Sequence, residues 1–350
     1  MSKLKFAVVG VGEEGIGNRH SEAVLQHKET ELTAICEING ELAKKKAELY
    51  GAPFYCTDYK DLLGRDDVDA VIICTPDKLH HTMVADFLDA GKHVLCEKPI
   101  TLHNYQSQVI LDAEKRSSAK FMVGQVCRKT PAFILAKKLV DEGVIGELTY
   151  VESEYAHDYS HMKNSWRQDK EDPRHIVTGG ACHSVDLLRW IAGNPTEAFA
   201  YASKKYLDDN WSTDDTAAAV LKFPNGVIGR IFASMGVKGH GTGIRTLIYG
   251  TKGVIKCSAV DQLVTLNVTD FNGTESFMGH KMEHIDMNFH VEINNHNVYG
   301  ELCDFVDTII NNKPSEIPAI EGANTVSVCE AIVKSTETGK AEQVEYLTAR

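Results

Sequence analysis

A lysine held between a glutamate and a proline is the first candidate for chemistry in this chain. Glu97-Lys98-Pro99 closes the apolar run His93-Val94-Leu95-Cys96, which reads as a buried strand. In open α/β sheets, ligands gather at the carboxyl ends of such strands. An ammonium placed there can hydrogen-bond an oxygen and stabilise negative charge developing on it. Pro99 marks a fixed turn, and a cis peptide is one way to aim Lys98 into a crevice. A lysine taken alone is more often a surface residue; the strand before this one shifts the reading to function. Thr75-Pro76-Asp77 follows a second apolar run, Ala70–Cys74, in the same way.

The stretch Phe6-Ala7-Val8-Val9-Gly10-Val11-Gly12-Glu13-Glu14-Gly15-Ile16-Gly17 passes from strand to glycines to helix. That order lets backbone N–H groups and a helix N-terminus approach a diphosphate. Two registers of the GxGxxG pattern fit. In one, Gly15 is the third glycine and two carboxylates lie in the turn beside the anion. In the other, Glu13-Glu14 form a bulge and Gly17 is the third glycine; charge repulsion favours this one. A second strand ends at Glu37, where a carboxylate accepts hydrogen bonds from ribose hydroxyls and repels a 2′-phosphate. No Arg or Lys follows until Lys44. NAD is therefore favoured over NADP.

The elements that must position these groups alternate in type. Lys5–Val9, Leu32–Cys36, Ala70–Cys74, His93–Cys96 and Phe121–Val123 are short apolar strands, while His20–His27, Gly40–Tyr50, His80–Ala90 and Tyr105–Arg116 carry helical patterns. This predicts a doubly wound parallel sheet over residues 1–125. From Leu148 the texture changes to β-branched and aromatic runs: Leu148–Tyr155, Thr216–Phe223, Gly226–Ser234, Arg245–Tyr249 and Gly253–Cys257. Pro224-Asn225-Gly226 is a hairpin turn. Helices are expected at Ala181–Ile191, Gly300–Asn311 and Gly322–Thr336. Residues 126–350 thus read as an α+β domain with a large, mainly antiparallel open sheet, packed on the first domain with a cleft between.

Composition narrows the function classes. A chain of 350 residues suggests two domains. Its 37 basic and 49 acidic residues, a net charge of −12, oppose binding to a nucleic acid. No apolar run reaches the roughly 18–20 residues that span a bilayer, so no membrane partner is expected. Phe6–Val11 is too short for a signal-peptide core. Nine cysteines, an odd number without a CxxC pair, indicate a reducing compartment, and a cytoplasmic location is the expectation. His157 and His161 are four apart, as are His280 and His284, but neither pair lies in a helical apolar pattern. No metal is expected.

Together these motifs resemble the glucose–fructose oxidoreductase / inositol dehydrogenase / rhizopine catabolism (Gfo/Idh/MocA) oxidoreductases. The matching residues are the glycine loop with His20, the Ala70–Pro76 stretch with His80, and Ala90-Gly91-Lys92-His93-Val94-Leu95-Cys96-Glu97-Lys98-Pro99. Further matches are Arg128 with Pro131, Gly143-Val144-Ile145-Gly146, Trp166-Arg167, Gly179-Gly180 with His183 and Asp186, and Tyr249-Gly250-Thr251-Lys252-Gly253. The resemblance spans nearly the whole chain, and AGKHVLCEKP is its most specific part. It implies an N-terminal Rossmann domain and a C-terminal sheet that builds homo-oligomers. It also implies NAD(P)-linked oxidation or reduction of sugars, cyclitols and related polyols. By resemblance, Lys98 and His183 are catalytic. The cofactor would be held by Gly10, Gly12, Gly15, Ile16, Gly17, Glu37, Thr75, Pro76, His80, Glu97, Lys98, Trp166 and Arg167. Many members carry an aspartate four residues before the histidine; this chain has Gly179 there. A GGxCHxxD sub-pattern is closer and gives Asp186 the orienting role.

Taking hydride from a secondary alcohol requires a base for the hydroxyl proton. A neutral His183 suits this, since the reference pKa of ~6.5 lies near working pH. His183 and Asp186 are i, i+3 on a predicted helix, so the aspartate can orient the imidazole. Lys98 then stabilises charge on oxygen; the alternative makes Lys98 itself the base. Arg128, Tyr155, His157, Trp166 and Arg167 can donate hydrogen bonds to polyol hydroxyls. His296, within Asn294-Asn295-His296-Asn297, belongs either to a solvated helix cap or to a substrate contact. The expected function is an NAD-dependent dehydrogenase of a ring hydroxyl in a sugar, glycoside or cyclitol, with C3 oxidation as the finer reading. Two alternatives are an enzyme that recycles tightly bound NAD within epimerisation, glycoside cleavage or sugar–sugar oxidoreduction, and a non-catalytic NAD-binding sensor.

Overall fold

The computed structural model describes residues 3–162, 166–171, 173–238, 243–277, 280–294 and 296–348, and only the backbone of 270–284. The chain divides into two compact units, Met1–Val126 with Asn297–Ser327 and Tyr346–Arg350, and Cys127–His296 with Val328–Glu345.

In the first unit, strands β1 (Leu4–Val9), β2 (Thr30–Cys36), β3 (Phe54–Cys56), β4 (Ala70–Ile73), β5 (His93–Glu97) and β6 (Phe121–Gly124) form one sheet. Their order is β3-β2-β1-β4-β5-β6, and every pair is parallel. Helices α1 (Ile16–Gln26), α2 (Gly40–Tyr50), α3 (His80–Asp89) and α4 (Asn104–Arg116) connect the strands. A sheet covered on both faces explains why β1 and β4 are apolar without alternation: Ala7, Val8, Val71 and Ile72 are all fully buried. This is the doubly wound order in which ligands bind beyond the carboxyl ends of β1 and β4.

The sequence suggests a linear division after residue 125. Helix α7 (Val298–Ile310) returns to the first unit. Its Leu302, Phe305 and Val306 join the core of the parallel sheet, with Phe305 edge-on to Phe6 at 6.3 Å. The apolar stripe of α7 states that it packs; it does not state against which sheet.

The second unit carries strands β7 (Leu148–Ala156), β8 (Glu197–Ser203), β9 (Thr216–Lys222), β10 (Ile228–Ser234), β11 (Gly243–Gly250), β12 (Gly253–Ser258), β13 (Leu263–Phe277), β14 (His280–His290) and β15 (Glu342–Gln343). Their order is β14-β13-β12-β11-β7-β10-β9-β8-β15. Neighbours are antiparallel except β7 and β10. Helices α5 (Pro131–Asp141) and α6 (Cys182–Ala192) pack against this sheet, α6 on β7, β10 and β11. Burial alternates along β9, as expected of a sheet with one covered and one solvated face. Helix α8 (Ala319–Thr338) begins in the first unit and ends in the second.

Candidate active site

The dinucleotide end of the first unit is built on backbone. Gly10 and Gly12 take φ of +83° and +63°, a region that residues with a side chain rarely enter. A Cβ on Gly10 would lie 2.8 Å from the Thr75 nitrogen, so the loop after β1 is pressed against Thr75-Pro76. Helix α1 begins at Ile16, with Gly15 as its cap and no acidic residue in its first turn. A Cβ on Gly17 would sit 2.8 Å from both the Gly10 oxygen and the Val11 Cα, the close helix–strand approach that asks for a glycine. Glu13 is exposed, with Lys45 Nζ 2.7 Å from its carboxylate. The hydrogen bond and charge of Lys45 hold that carboxyl below its usual range.

Glu37 closes β2 beside this loop. Its carboxylate accepts from Gly12 N–H at 2.9 Å and from Asn39 N–H at 3.3 Å. A positive-φ loop, a helix N-terminus without acid and a carboxylate at the next strand end fit NAD. Replacing Glu37 with alanine should raise KM for NAD about 10–100-fold, because bonds to a charged group contribute ~1.5–3 kcal/mol. It should also narrow the preference against NADP. Steady-state kinetics with both nucleotides measure this, and an unchanged KM for NAD would remove Glu37 from the site.

Lys98 is half-buried and follows β5, and the Lys98–Pro99 peptide is cis. The Lys98 N–H donates to Glu97 Oε2 at 3.1 Å, while Glu97 Oε1 lies 2.9 Å from His20 Nε2. Burial opposes charge on Glu97, but the hydrogen bond and charge of His20, with Lys98 alongside, outweigh it and hold the carboxyl below its usual range. Glu301 of α7 completes a buried trio, with one ligand-type atom from each residue inside 4.8 Å. Glu97, expected to touch the cofactor, is also a buried anchor for the turn that carries Lys98. His80 is likewise held by other parts of the unit. Its ring nitrogens lie 3.0 Å from the Pro99 oxygen and 2.9 Å from the Thr75 oxygen, so it ties two loops together.

In the second unit, His183, Asp186 and Arg189 are buried on α6. Asp186, expected to orient His183, is held by arginines. Both of its oxygens accept from Arg128, Nε at 2.8 Å and Nη2 at 2.7 Å, and Arg189 Nη1 is 3.8 Å away. Arg128, expected to meet substrate, spends its guanidinium fork on that carboxylate. His183 Nδ1 instead lies 3.3 Å from Cys127 Sγ.

A run of rings surrounds His183. Tyr155 stacks on it at 6.1 Å and His296 meets it edge-on at 5.7 Å. From Tyr155 the run continues through His157 at 4.2 Å, Tyr159 and Trp211. The Tyr155 and Tyr159 hydroxyls hydrogen-bond each other. Burial, with Tyr159 adding to it, pushes the Tyr155 phenol well above its ordinary range, so it stays neutral. His296 has φ +59°, uncommon for a non-glycine residue. Asn297 caps α7 by accepting from Gly300 N–H at 2.9 Å. Asn295 lies outside the described residues.

A π-helical turn, Val177–Ala181, precedes α6. A Cβ on Gly179 would lie 2.2 Å from Arg174 Nη1, and one on Gly180 would lie 2.5 Å from Tyr155 Cε1. Arg174 donates to the Gly179 oxygen at 2.5 Å. Trp166 is exposed, with the guanidinium carbons of Arg167 and Arg174 4.4 Å and 5.2 Å from its ring centroid. The structure thus ties Trp166 and Arg167 to the arginine that fills the space beside Gly179.

Residues 4–125 match the NAD-binding Rossmann fold of the Gfo/Idh/MocA oxidoreductase family, and residues 137–345 match its C-terminal alpha/beta domain. The chain belongs to this family. This Gfo/Idh/MocA oxidoreductase is 30% identical over 246 residues to levoglucosan dehydrogenase of Pseudarthrobacter phenanthrenivorans, a match spanning 63% of each chain. It is 25% identical over 353 residues to myo-inositol 2-dehydrogenase of Thermotoga maritima, covering 98% of this chain and 99% of that one. Its fold matches an oxidoreductase domain protein from Kribbella flavida with a TM-score of 0.86 at 25% identity, over 99% of this chain and 100% of that one. A levoglucosan dehydrogenase in complex with NADH and L-sorbose shares the fold at a TM-score of 0.86 and 23% identity, over 99% and 100%.

Within this Gfo/Idh/MocA chain, the structure places Tyr155, His157, His183 and His296, each named from the sequence, in one run of rings with Tyr159 and Trp211, and sets Cys127 beside His183 and Glu301 beside Glu97, four residues that the sequence did not single out. A carboxylate on the buried face of the predicted helix Gly300–Asn311 was the available signal for Glu301. Of the paired histidines, His161 is exposed and the chain beyond β7 is not helical there, so four-residue spacing does not join it to His157. The side chains of His280 and His284 lie outside the described residues.

His175 opens the π-helical turn. Its Nδ1 accepts from Val177 N–H at 3.1 Å, and burial lowers its pKa to about 4. The unfolded chain, with an imidazole near 6.5, binds this proton first. Stability from His175 is therefore present above about pH 6.5 and is lost as pH falls toward 4. The thermal midpoint of wild type should drop across that window more steeply than that of His175→Gln; parallel curves would contradict the assignment.

Proposed function

We propose that this Gfo/Idh/MocA chain is an NAD-dependent dehydrogenase that oxidises a ring secondary hydroxyl of a sugar, glycoside or cyclitol to the ketone, with C3 as the position. The observation that carries it is a half-buried lysine at the end of β5 in the dinucleotide-binding unit, together with a buried histidine set in a run of rings in the other. The levoglucosan and inositol dehydrogenases it resembles, named for ring polyols, support that substrate class.

NAD, when bound, accepts the hydride. The N–H groups of the Gly10–Gly17 loop and the start of α1 hold its diphosphate, and Glu37 takes the ribose hydroxyls. His183 Nε2 takes the hydroxyl proton. The Lys98 ammonium donates to the same oxygen and stabilises its developing charge. Rings such as Tyr155 and His157 present apolar faces to the C–H side of a pyranose or cyclitol, with polar edges for its hydroxyls. Nine free cysteines support a reducing, cytoplasmic setting, and no described helix is long and apolar enough to cross a membrane. Tyr201, Val220, Ile228 and Tyr249 share the solvated face of the second sheet, which supports a homo-oligomer. Light scattering tests that assembly.

A panel of inositols, hexoses and glycosides with NAD, read by NADH absorbance and by NMR of the product, tests the function. The 3-oxo product is expected. A ketone at another carbon would overturn the C3 assignment, and inertness across the panel would overturn the substrate class. Nucleotide that survives dialysis while no free NADH accumulates would indicate internal recycling.

A further inference from the structure

The buried nitrogen of His183 that does not face substrate needs a partner. Asp186 is committed to Arg128 at 2.7 and 2.8 Å. Position 179, one helical turn before the histidine, has no side chain, and Arg174 fills its space. The group at Nδ1 is a thiol: Cys127 Sγ at 3.3 Å, 2% exposed.

We propose that Cys127 is the positioning residue of His183, its sulfur accepting the Nδ1–H bond and so keeping the Nε2 lone pair turned to the substrate hydroxyl. This rests on the reading of His183 as base. A neutral imidazole carries one proton, and a base at Nε2 must carry it on Nδ1. Once Nε2 is protonated, the Nδ1–H bond persists and the sulfur continues to hold the ring. A buried ring N–H left without an acceptor costs a large part of its desolvation, so removing the sulfur lets the ring turn or change tautomer. Tyr155 stacks on the ring at 6.1 Å and His296 meets it edge-on at 5.7 Å. Cys127 touches no reacting atom in this scheme.

Cys127→Ala should lower kcat about 10–100-fold, the effect seen when the partner that orients a functional histidine is removed. KM for the polyol should stay within about 2-fold. Cys127→Ser, which restores an acceptor, should recover most of kcat. Histidine 15N shifts, assigned by difference from His183→Asn, should show the Nδ1–H form in the wild type and a mixture in Cys127→Ala. If the alanine variant does not fold, the wild-type tautomer and the serine variant still decide. Wild-type kcat in Cys127→Ala, equal losses in the alanine and serine variants, or a wild-type Nε2–H tautomer would each overturn the proposal. Full activity in His183→Ala would overturn the base reading instead, and the two failures are separately visible.

Discussion

Lys98→Ala and His183→Ala should each reduce kcat by about 10²–10⁴-fold while NAD affinity stays within a few-fold. The range follows from what each group supplies. A positioned base contributes about 10²–10⁴, and removing one donor to a developing oxyanion costs about 10²–10³. NAD affinity should survive because the glycine loop and Glu37 are held by other bonds. If the two side chains act on one oxygen, their losses will not multiply, and the double variant will fall little below the worse single one. Stopped-flow NADH formation with saturating NAD separates chemistry from binding. Multiplying losses would mean that the two groups serve different steps. Near-wild-type turnover in either single variant would remove that residue from the mechanism.

The second large effect concerns stability. Asp186→Ala strips the counter-charge from Arg128 and Arg189, which are 8% and 5% exposed. Breaking a buried pair by removing one partner costs about 3–5 kcal/mol. For a unit of this size that is a fall of roughly 10 °C in the thermal midpoint. A double variant, Arg128→Met with Asp186→Leu, should recover part of the loss, because apolar replacements of buried pairs are often tolerated. The contrast with catalysis is the useful feature. Asp186 variants that remain folded at low temperature should keep much of their kcat. A drop in kcat without a drop in midpoint would return Asp186 to the orienting role first read from its spacing.

That reversal shows what was legible in the sequence. The parallel sheet could be read because β1 and β4 are buried on both faces and so are continuously apolar. Lys98 could be read because it follows such a strand. Strands β13 and β14 escaped notice, since their Thr, Asn, Asp and Glu content gives no apolar run. Helix α7 was visible as a helix, but its return to the first unit depends on Phe305 meeting Phe6, a contact no local pattern encodes. The partner of Asp186 was hidden for a related reason. Helix geometry allows His183 at i−3, yet a guanidinium 58 positions earlier in the chain offers two charged bonds instead of one neutral bond. Local spacing identified which residues share α6; long-range pairing decided what each one does there.

The central claim is that one ammonium and one imidazole share the proton chemistry of a single alcohol. A crystal structure of the enzyme with NADH and a turned-over polyol tests it most directly. The account predicts Lys98 Nζ and His183 Nε2 each within about 3 Å of the same hydroxyl oxygen, with Cys127 behind the ring. A bound polyol whose reactive hydroxyl meets only one of them, or neither, would contradict it.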